Sequence, residues 1–243
     1  MTIRIAMFSG PRNISTTMMR AFENRPDTFV HDEPFYACYL KGTNAQHPRR
    51  DDILASQSSR WTDVIDELKT QKNTNLSYSF EKHIAHHFIN PIPVDWFGNT
   101  RIIFLIRNPR EMIASYKNKY DDVAPIVESY KVQRRLFEVL SGNEFSCVII
   151  DAKDILARPE PMLKHLCEAL NIPFMKDMLQ WPAGQRESDG VWGSHWYDAV
   201  WRSTGFLPLK QKEIVLSDDL EALAQACRDE YQFFYERRLT VNE

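Results

Sequence analysis

A chain of 243 residues, 43% of them hydrophobic, can bury a sizeable core and suits one domain spanning 1–243. Its formal net charge of −3 excludes a global field that would draw it to nucleic acid. The strand pattern at the start of the sequence and the lack of a long apolar run lead us to expect neither a signal peptide nor membrane insertion. The four cysteines (Cys38, Cys147, Cys167, Cys227) are far apart with no CxxC, which excludes a disulfide frame or zinc ribbon and predicts a soluble, reducing, cytoplasmic setting.

The first element is a buried strand at 3–8, running into Ser9-Gly10-Pro11-Arg12-Asn13-Ile14-Ser15-Thr16-Thr17 and a helix at 16–24. A strand, a tight turn and a helix N-terminus make an anion cradle, because unpaired N–H groups and the positive end of the helix dipole face the turn. Arg12 adds a guanidinium, and Ser15, Thr16 and Thr17 add hydroxyls. GxxxxGK[ST] and GxGxxG are both absent here, so neither the Walker nor the dinucleotide fingerprint applies. The same segment is also compatible with an ordinary βα turn in which a serine caps the helix.

Further strands are predicted at 28–31, 76–80, 101–106 and 145–150. Further helices are predicted at 61–69, 83–88, 109–120, 126–141, 161–170 and 218–237. Alternating strands and helices imply a parallel sheet covered on both faces, with ligands at the carboxyl edge of the strands. Two stretches break the alternation. Residues 41–60 are polar and read as a loop or lid; residues 181–209 hold Trp181, Trp192, Trp196, Tyr197, Trp201 and Phe206, and either cover a site or pack on the sheet edge.

The strand at 101–106 ends in Arg107-Asn108-Pro109, with Pro109 suited to the first helical position. Ser115 follows eight residues after Arg107, about two helical turns on, so both can touch one phosphate. Alternatively, Arg107 pairs with a carboxylate and Ser115 is a small packing residue.

Two anion cradles on one sheet edge suit a nucleotide phosphorylated at both ends of its ribose. In this respect the chain resembles the PAPS-dependent sulfotransferase superfamily, as a bacterial-type member (PAPS is 3′-phosphoadenosine 5′-phosphosulfate). Gly10-Pro11-Arg12-Asn13-Ile14-Ser15-Thr16 is similar to the family's loop for the 5′-phosphosulfate, and Arg107 with Ser115 to its 3′-phosphate site. Val148-Ile149-Ile150-Asp151, Pro159-Glu160-Pro161-Met162-Leu163 and Leu170-Asn171-Ile172-Pro173-Phe174 resemble later family segments, in the same order. The resemblance implies a three-layer α/β/α sandwich around a mostly parallel, P-loop NTPase-like sheet. There are departures. Arg12 stands where the cytosolic branch has lysine, Ile14 where another loop form has glycine, and the Arg-Lys-Gly tail motif is missing. The stretch around Ser203 and Thr204 stands in for that lid and would complete the nucleotide site.

The resemblance implies sulfuryl transfer from PAPS, used as a co-substrate without a required metal, to a hydroxyl or amine of a small-molecule or carbohydrate acceptor. Arg12 would neutralise the leaving phosphate, with Gly10, Pro11, Asn13, Ile14, Ser15, Thr16 and Thr17 around it. The base is Glu33, which follows the second strand, or His83, in a stretch similar to the cytosolic Lys-x-His region; Lys82 would add positive charge at the sulfuryl group. His83 and His87 at i and i+4 lack a companion carboxylate, so a metal site is not expected. Two other readings remain open, a P-loop phosphotransferase or nucleotide hydrolase and a non-catalytic nucleotide-binding protein. Neither the acceptor nor the oligomeric state is set by the sequence.

Overall fold

The computed structural model describes residues 2–70, 76–91, 93–120, 122–208 and 213–241. Five strands, β1 (Ile3–Ser9), β2 (Thr28–Asp32), β3 (Tyr78–Ile84), β4 (Arg101–Ile106) and β5 (Cys147–Asp151), form one sheet in the order β2-β3-β1-β4-β5. Every neighbouring pair is parallel, so the predicted mostly parallel sheet is wholly so. The helices are α1 (Ser15–Glu23), α2 (Tyr36–Thr43), α3 (Arg50–Ser56), α4 (Trp61–Thr70), α5 (Pro109–Lys117) and α6 (Ala124–Gly142). They continue with α7 (Ala152–Ala157), α8 (Pro159–Ala169), α9 (Gly193–Trp196), α10 (Asp198–Trp201), α11 (Asp218–Ala226) and α12 (Arg228–Tyr235). No helix among the described residues is long and apolar enough to cross a membrane.

Alternation along β1 sets the two layers. Ile5 and Met7 face a core built with Met18, Met19 and Phe22 of α1, Ile155 of α7 and Leu163 of α8. Ala6 and Phe8 face a second core built with Val64 and Leu68 of α4, Leu136 of α6 and Phe234 of α12. Helices thus cover both faces, the three-layer arrangement the sequence pattern predicts. β1 lies between β3 and β4, where the strand order reverses, and ligands of open parallel sheets sit at such a point beyond the carboxyl ends.

Several elements differ from expectation. The predicted helix at 83–88 is the end of β3, paired with β1 as far as Ser9↔Ile84, followed by a 3-10 turn at Ala85–His87. β3 is buried along its whole length although it contains Glu81 and Lys82, because each charge has a partner: Arg4 lies 2.6 Å from Glu81, and Asp32 2.7 Å from Lys82. The predicted helix at 218–237 is two helices, α11 and α12, joined at the buried Cys227. Residues 41–60 are partly helical, containing the end of α2 and all of α3. The aromatic segment divides. Trp181 is buried in the first core, Trp192 and Tyr197 are buried beside Tyr36 of α2, and Trp196 is partly buried. Residue 209, its predicted end, lies outside the described residues.

Candidate active site

A cavity of about 210 Å³ opens at the carboxyl edge of β1, β2 and β3. Residues 11–17 form one wall. Gly10 precedes them, packed so flush on α5 that a Cβ would lie 2.4 Å from Met112 Cε. Asn13 ties the turn down by donating from Nδ2 to the Leu105 carbonyl at 2.6 Å. Arg12 (φ 58°) and Ile14 (φ 49°) are left-handed, a conformation that costs a non-glycine residue about 1–3 kcal/mol. Left-handed residues in a turn bring backbone N–H groups onto one concave side. Ile14 is the N-cap of α1 and supplies no capping side chain, so the first N–H groups of α1 are left for whatever occupies the cavity. Its own side chain packs against the first core. The alternative of a serine-capped turn therefore does not hold.

Arg107 and Ser115 line the same cavity. Arg107 donates from Nη1 to the Arg12 carbonyl at 2.8 Å and from Nε to Glu111 at 2.9 Å. Arg12 donates from Nε to Ser115 Oγ at 3.2 Å and from Nη1 to the Trp196 carbonyl at 3.4 Å. The two basic groups thus adjoin. Burial, and then the charge of Arg107, push the Arg12 pKa down, because both oppose holding a second cation there. An anion placed between them relieves both effects.

The far wall is a buried ionic network. Lys82 Nζ lies 2.7 Å from Asp32 and 2.7 Å from Glu33 Oε1, and donates to the Tyr197 hydroxyl at 2.5 Å. That hydroxyl also accepts from Trp192 Nε1 at 2.9 Å and donates to the Asp32 carboxylate at 2.8 Å. Gly190 N–H closes the group on Asp32 at 3.0 Å, which ties the 189–197 stretch to β2. Glu33 has φ 45°, held by its N–H on the Lys82 carbonyl and by Gln57 on its own carbonyl. Burial raises its pKa to about 7, with Asp32 adding to the rise and Lys82 opposing it. Burial alone would lower the Lys82 pKa, but Asp32 and Glu33 outweigh it and raise it.

Residues 3–231 match a family described as "Sulfotransferase domain". The chain belongs to this sulfotransferase family. Branched-chain-amino-acid aminotransferase-like proteins 1 and 2 of Arabidopsis thaliana are each 33% identical over 208 residues, 83% of this chain. The chain spans only 36% of the length of those curated relatives. The sulfotransferase domain from the curacin biosynthetic pathway superposes with a TM-score of 0.56 at 16% identity, covering 93% of this chain and 97% of that one. A sulfotransferase from Alicyclobacillus acidocaldarius gives 0.55 at 12% identity, covering 99% and 98%. These two likenesses show the fold, the P-loop-like α/β sheet expected of the family.

Within this sulfotransferase fold, residues 11–17, Glu33, Lys82, Arg107 and Ser115 line one cavity. His83 does not. It alternates with Lys82 along β3, so its ring turns into the second core, stacked on Phe8 at 5.0 Å and hydrogen-bonded to Glu81 at 3.1 Å. The strand also removes the shared helix face of His83 and His87. Among the described residues no group of three or more His, Cys, Asp or Glu is arranged to hold a metal ion. Ser203 accepts from Trp181 Nε1 at 3.2 Å and is buried, and the Thr204 carbonyl accepts from Trp181 N–H at 3.1 Å. Both fix the aromatic segment to the core and neither lines the cavity. Asp32 and Tyr197 acquire roles the sequence reading did not assign; the acidic pair Asp32-Glu33 after a strand was the one local signal for the first.

Proposed function

We propose that this domain transfers a sulfuryl group from PAPS to a hydroxyl of a small-molecule or carbohydrate acceptor. The 5′-phosphosulfate would lie over residues 11–17 and the first turn of α1, and the 3′-phosphate against Arg107 and Ser115. The observation that carries this reading is the convergence of an uncapped helix start, two adjoining guanidinium groups and the buried Glu33 on one cavity.

The acceptor oxygen attacks sulfur in line and its proton passes to Glu33, whose raised pKa suits a base near neutral pH. The new O–S bond forms as the bond from sulfur to the bridging oxygen of the 5′-phosphate breaks. The electron pair leaves with 3′-phosphoadenosine 5′-phosphate (PAP). Backbone N–H groups and Arg12 stabilise the charge that builds on the leaving group and the sulfuryl oxygens, while the three donors of Lys82 stay on Asp32, Glu33 and Tyr197.

The test is calorimetric titration with PAP, alongside mass detection of sulfate esters. Native protein should bind PAP and gain thermal stability from it, more than from ATP with magnesium. Arg12→Ala, which removes charge-assisted hydrogen bonds, should weaken PAP about 10- to 100-fold. Absence of PAP binding by the native protein would end this reading. Stabilisation by ATP with magnesium and not by PAP would favour a phosphotransferase.

A further inference from the structure

The acceptor wall above Glu33 carries two buried imidazoles with unused nitrogens. His87 Nδ1 and His86 Nε2 are buried and have no hydrogen-bond partner among the described residues, and both side chains line the cavity. The His87 ring is clamped between Tyr36 and Tyr39, with centroids 4.4 and 4.9 Å away, so its orientation is set before any ligand arrives. His86 is fixed by the hydrogen bond that its Nδ1 shares with Ser129 Oγ at 2.9 Å. Two hydroxyls on this wall are already engaged. The Tyr36 hydroxyl is bonded to His47 Nδ1 at 2.5 Å, and that of Tyr197 to Lys82 and Asp32. Unpaired buried polar atoms are costly and call for a partner.

We infer that the acceptor is a small neutral polyol, with a second hydroxyl beside the one that is sulfated, held by His87 and His86. This rests on the sulfotransferase reading and narrows its acceptor class. His87 Nδ1 lies 4.0 Å from Glu33 Oε2, too far for a direct hydrogen bond. Hydroxyls on adjacent carbons fit two hydrogen-bonding groups this close together. The attacking oxygen gives its proton to Glu33 and an electron pair to sulfur. That oxygen has no second proton to give to His87, and a hydrogen bond donated by His87 to it would withdraw the density the attack needs, so with either tautomer His87 serves the neighbouring hydroxyl, which is unchanged by the reaction.

Charge selects the same class. Burial holds both imidazoles neutral, and the cations are committed elsewhere: Lys82 to Asp32 and Glu33, Arg12 and Arg107 to the other end of the cavity. A carboxylate acceptor finds no free positive charge on this wall. A quaternary ammonium can neither donate to nor accept from an imidazole nitrogen, and it would hold Glu33 ionised as an ion-pair partner. A hydroxyl both donates and accepts, so it satisfies either tautomer.

The test uses matched acceptors with PAPS: trans-cyclohexane-1,2-diol against cyclohexanol, with lactate and choline as the anionic and cationic arms. PAP titration is run in parallel. The diol should be used with a kcat/KM about tenfold or more above cyclohexanol, because a site built to bond a hydroxyl rejects the analogue that lacks it. His87→Leu should bring that ratio near one while PAP still binds, and His87→Gln should keep part of it. Equal use of diol and mono-alcohol by the native protein, or preference for lactate or choline, overturns the inference, as does a ratio untouched by His87→Leu in protein that remains folded by circular dichroism. PAP binding without sulfation of the diol overturns the inference alone; loss of PAP binding as well removes the sulfotransferase reading beneath it.

Discussion

At one end of the cavity two guanidinium groups, Arg12 and Arg107, adjoin, and among the described residues one carboxylate lies at ion-pair distance from them, Glu111 on Arg107. At the other end Lys82 sits between two carboxylates, Asp32 and Glu33, with Tyr197 completing the group. The first end has spare positive charge and unpaired N–H groups, so its electrostatics are completed by an anion from outside. The second is complete without a ligand, and burial places its free energy at the disposal of one proton, that of Glu33. A transfer site needs this asymmetry: one end recognises charge and the other changes it.

The largest expected effect tests the proton. Glu33→Gln keeps the shape and removes the base, so kcat should fall about 10²- to 10⁴-fold. In the native protein kcat should rise with pH about a midpoint near 7, as the Glu33 carboxyl ionises. Stability should move the opposite way. The folded carboxyl keeps its proton up to about pH 7, whereas the unfolded one loses it at about pH 4.3. The stability that Glu33 contributes is thus full below about pH 4.3 and is lost as pH rises through about 7. Urea unfolding across pH 4 to 8 should show that decline in the native protein and a flatter profile in Glu33→Gln. A rate profile unchanged in shape by the substitution would move the base elsewhere.

The next effect tests whether the second end is a single ionic unit. Lys82→Met leaves two buried carboxylates without their cation and should cost about 3–5 kcal/mol in urea unfolding. Adding Asp32→Asn removes one of those charges and should restore part of the loss, although each change alone is destabilising. A double variant as unstable as the sum of the singles would mean that Asp32 and Lys82 do not act together.

The contrast between the ends also explains what the sequence disclosed. Residues 3–23 and 101–117 are each one continuous strand, turn and helix, so their chemistry is written in adjacent letters. Asn108 accepting from Arg110 N–H at 3.0 Å and Pro109 at the start of α5 are the kind of signals that local reading detects. The Lys82 network joins residues 49, 50 and 115 positions apart, which no local pattern records. Glu81 and Lys82 also interrupt the apolar run of β3, and their neutralising partners Arg4 and Asp32 come from other strands. The end of β3 therefore reads as a helix, and that one error places Lys82 and His83 side by side when the pleat sends them to opposite faces. His86 and His87 stand out as a pair in the sequence, yet only the packing of Tyr36, Tyr39 and Ser129 shows which nitrogens are left over.

The smallest expected effect separates the two ends most cleanly. Ser115 Oγ contacts Arg12 Nε and lies on the same cavity wall as Arg107. Ser115→Ala removes one hydrogen bond, worth about 0.5–1.5 kcal/mol, so PAP affinity should weaken about two- to tenfold. With donor saturating, the acceptor KM should stay at its native value, because the hydroxyl belongs to the anion-binding end. A shift in acceptor KM without a change in PAP affinity would place Ser115 on the acceptor side and erase the boundary between the two ends.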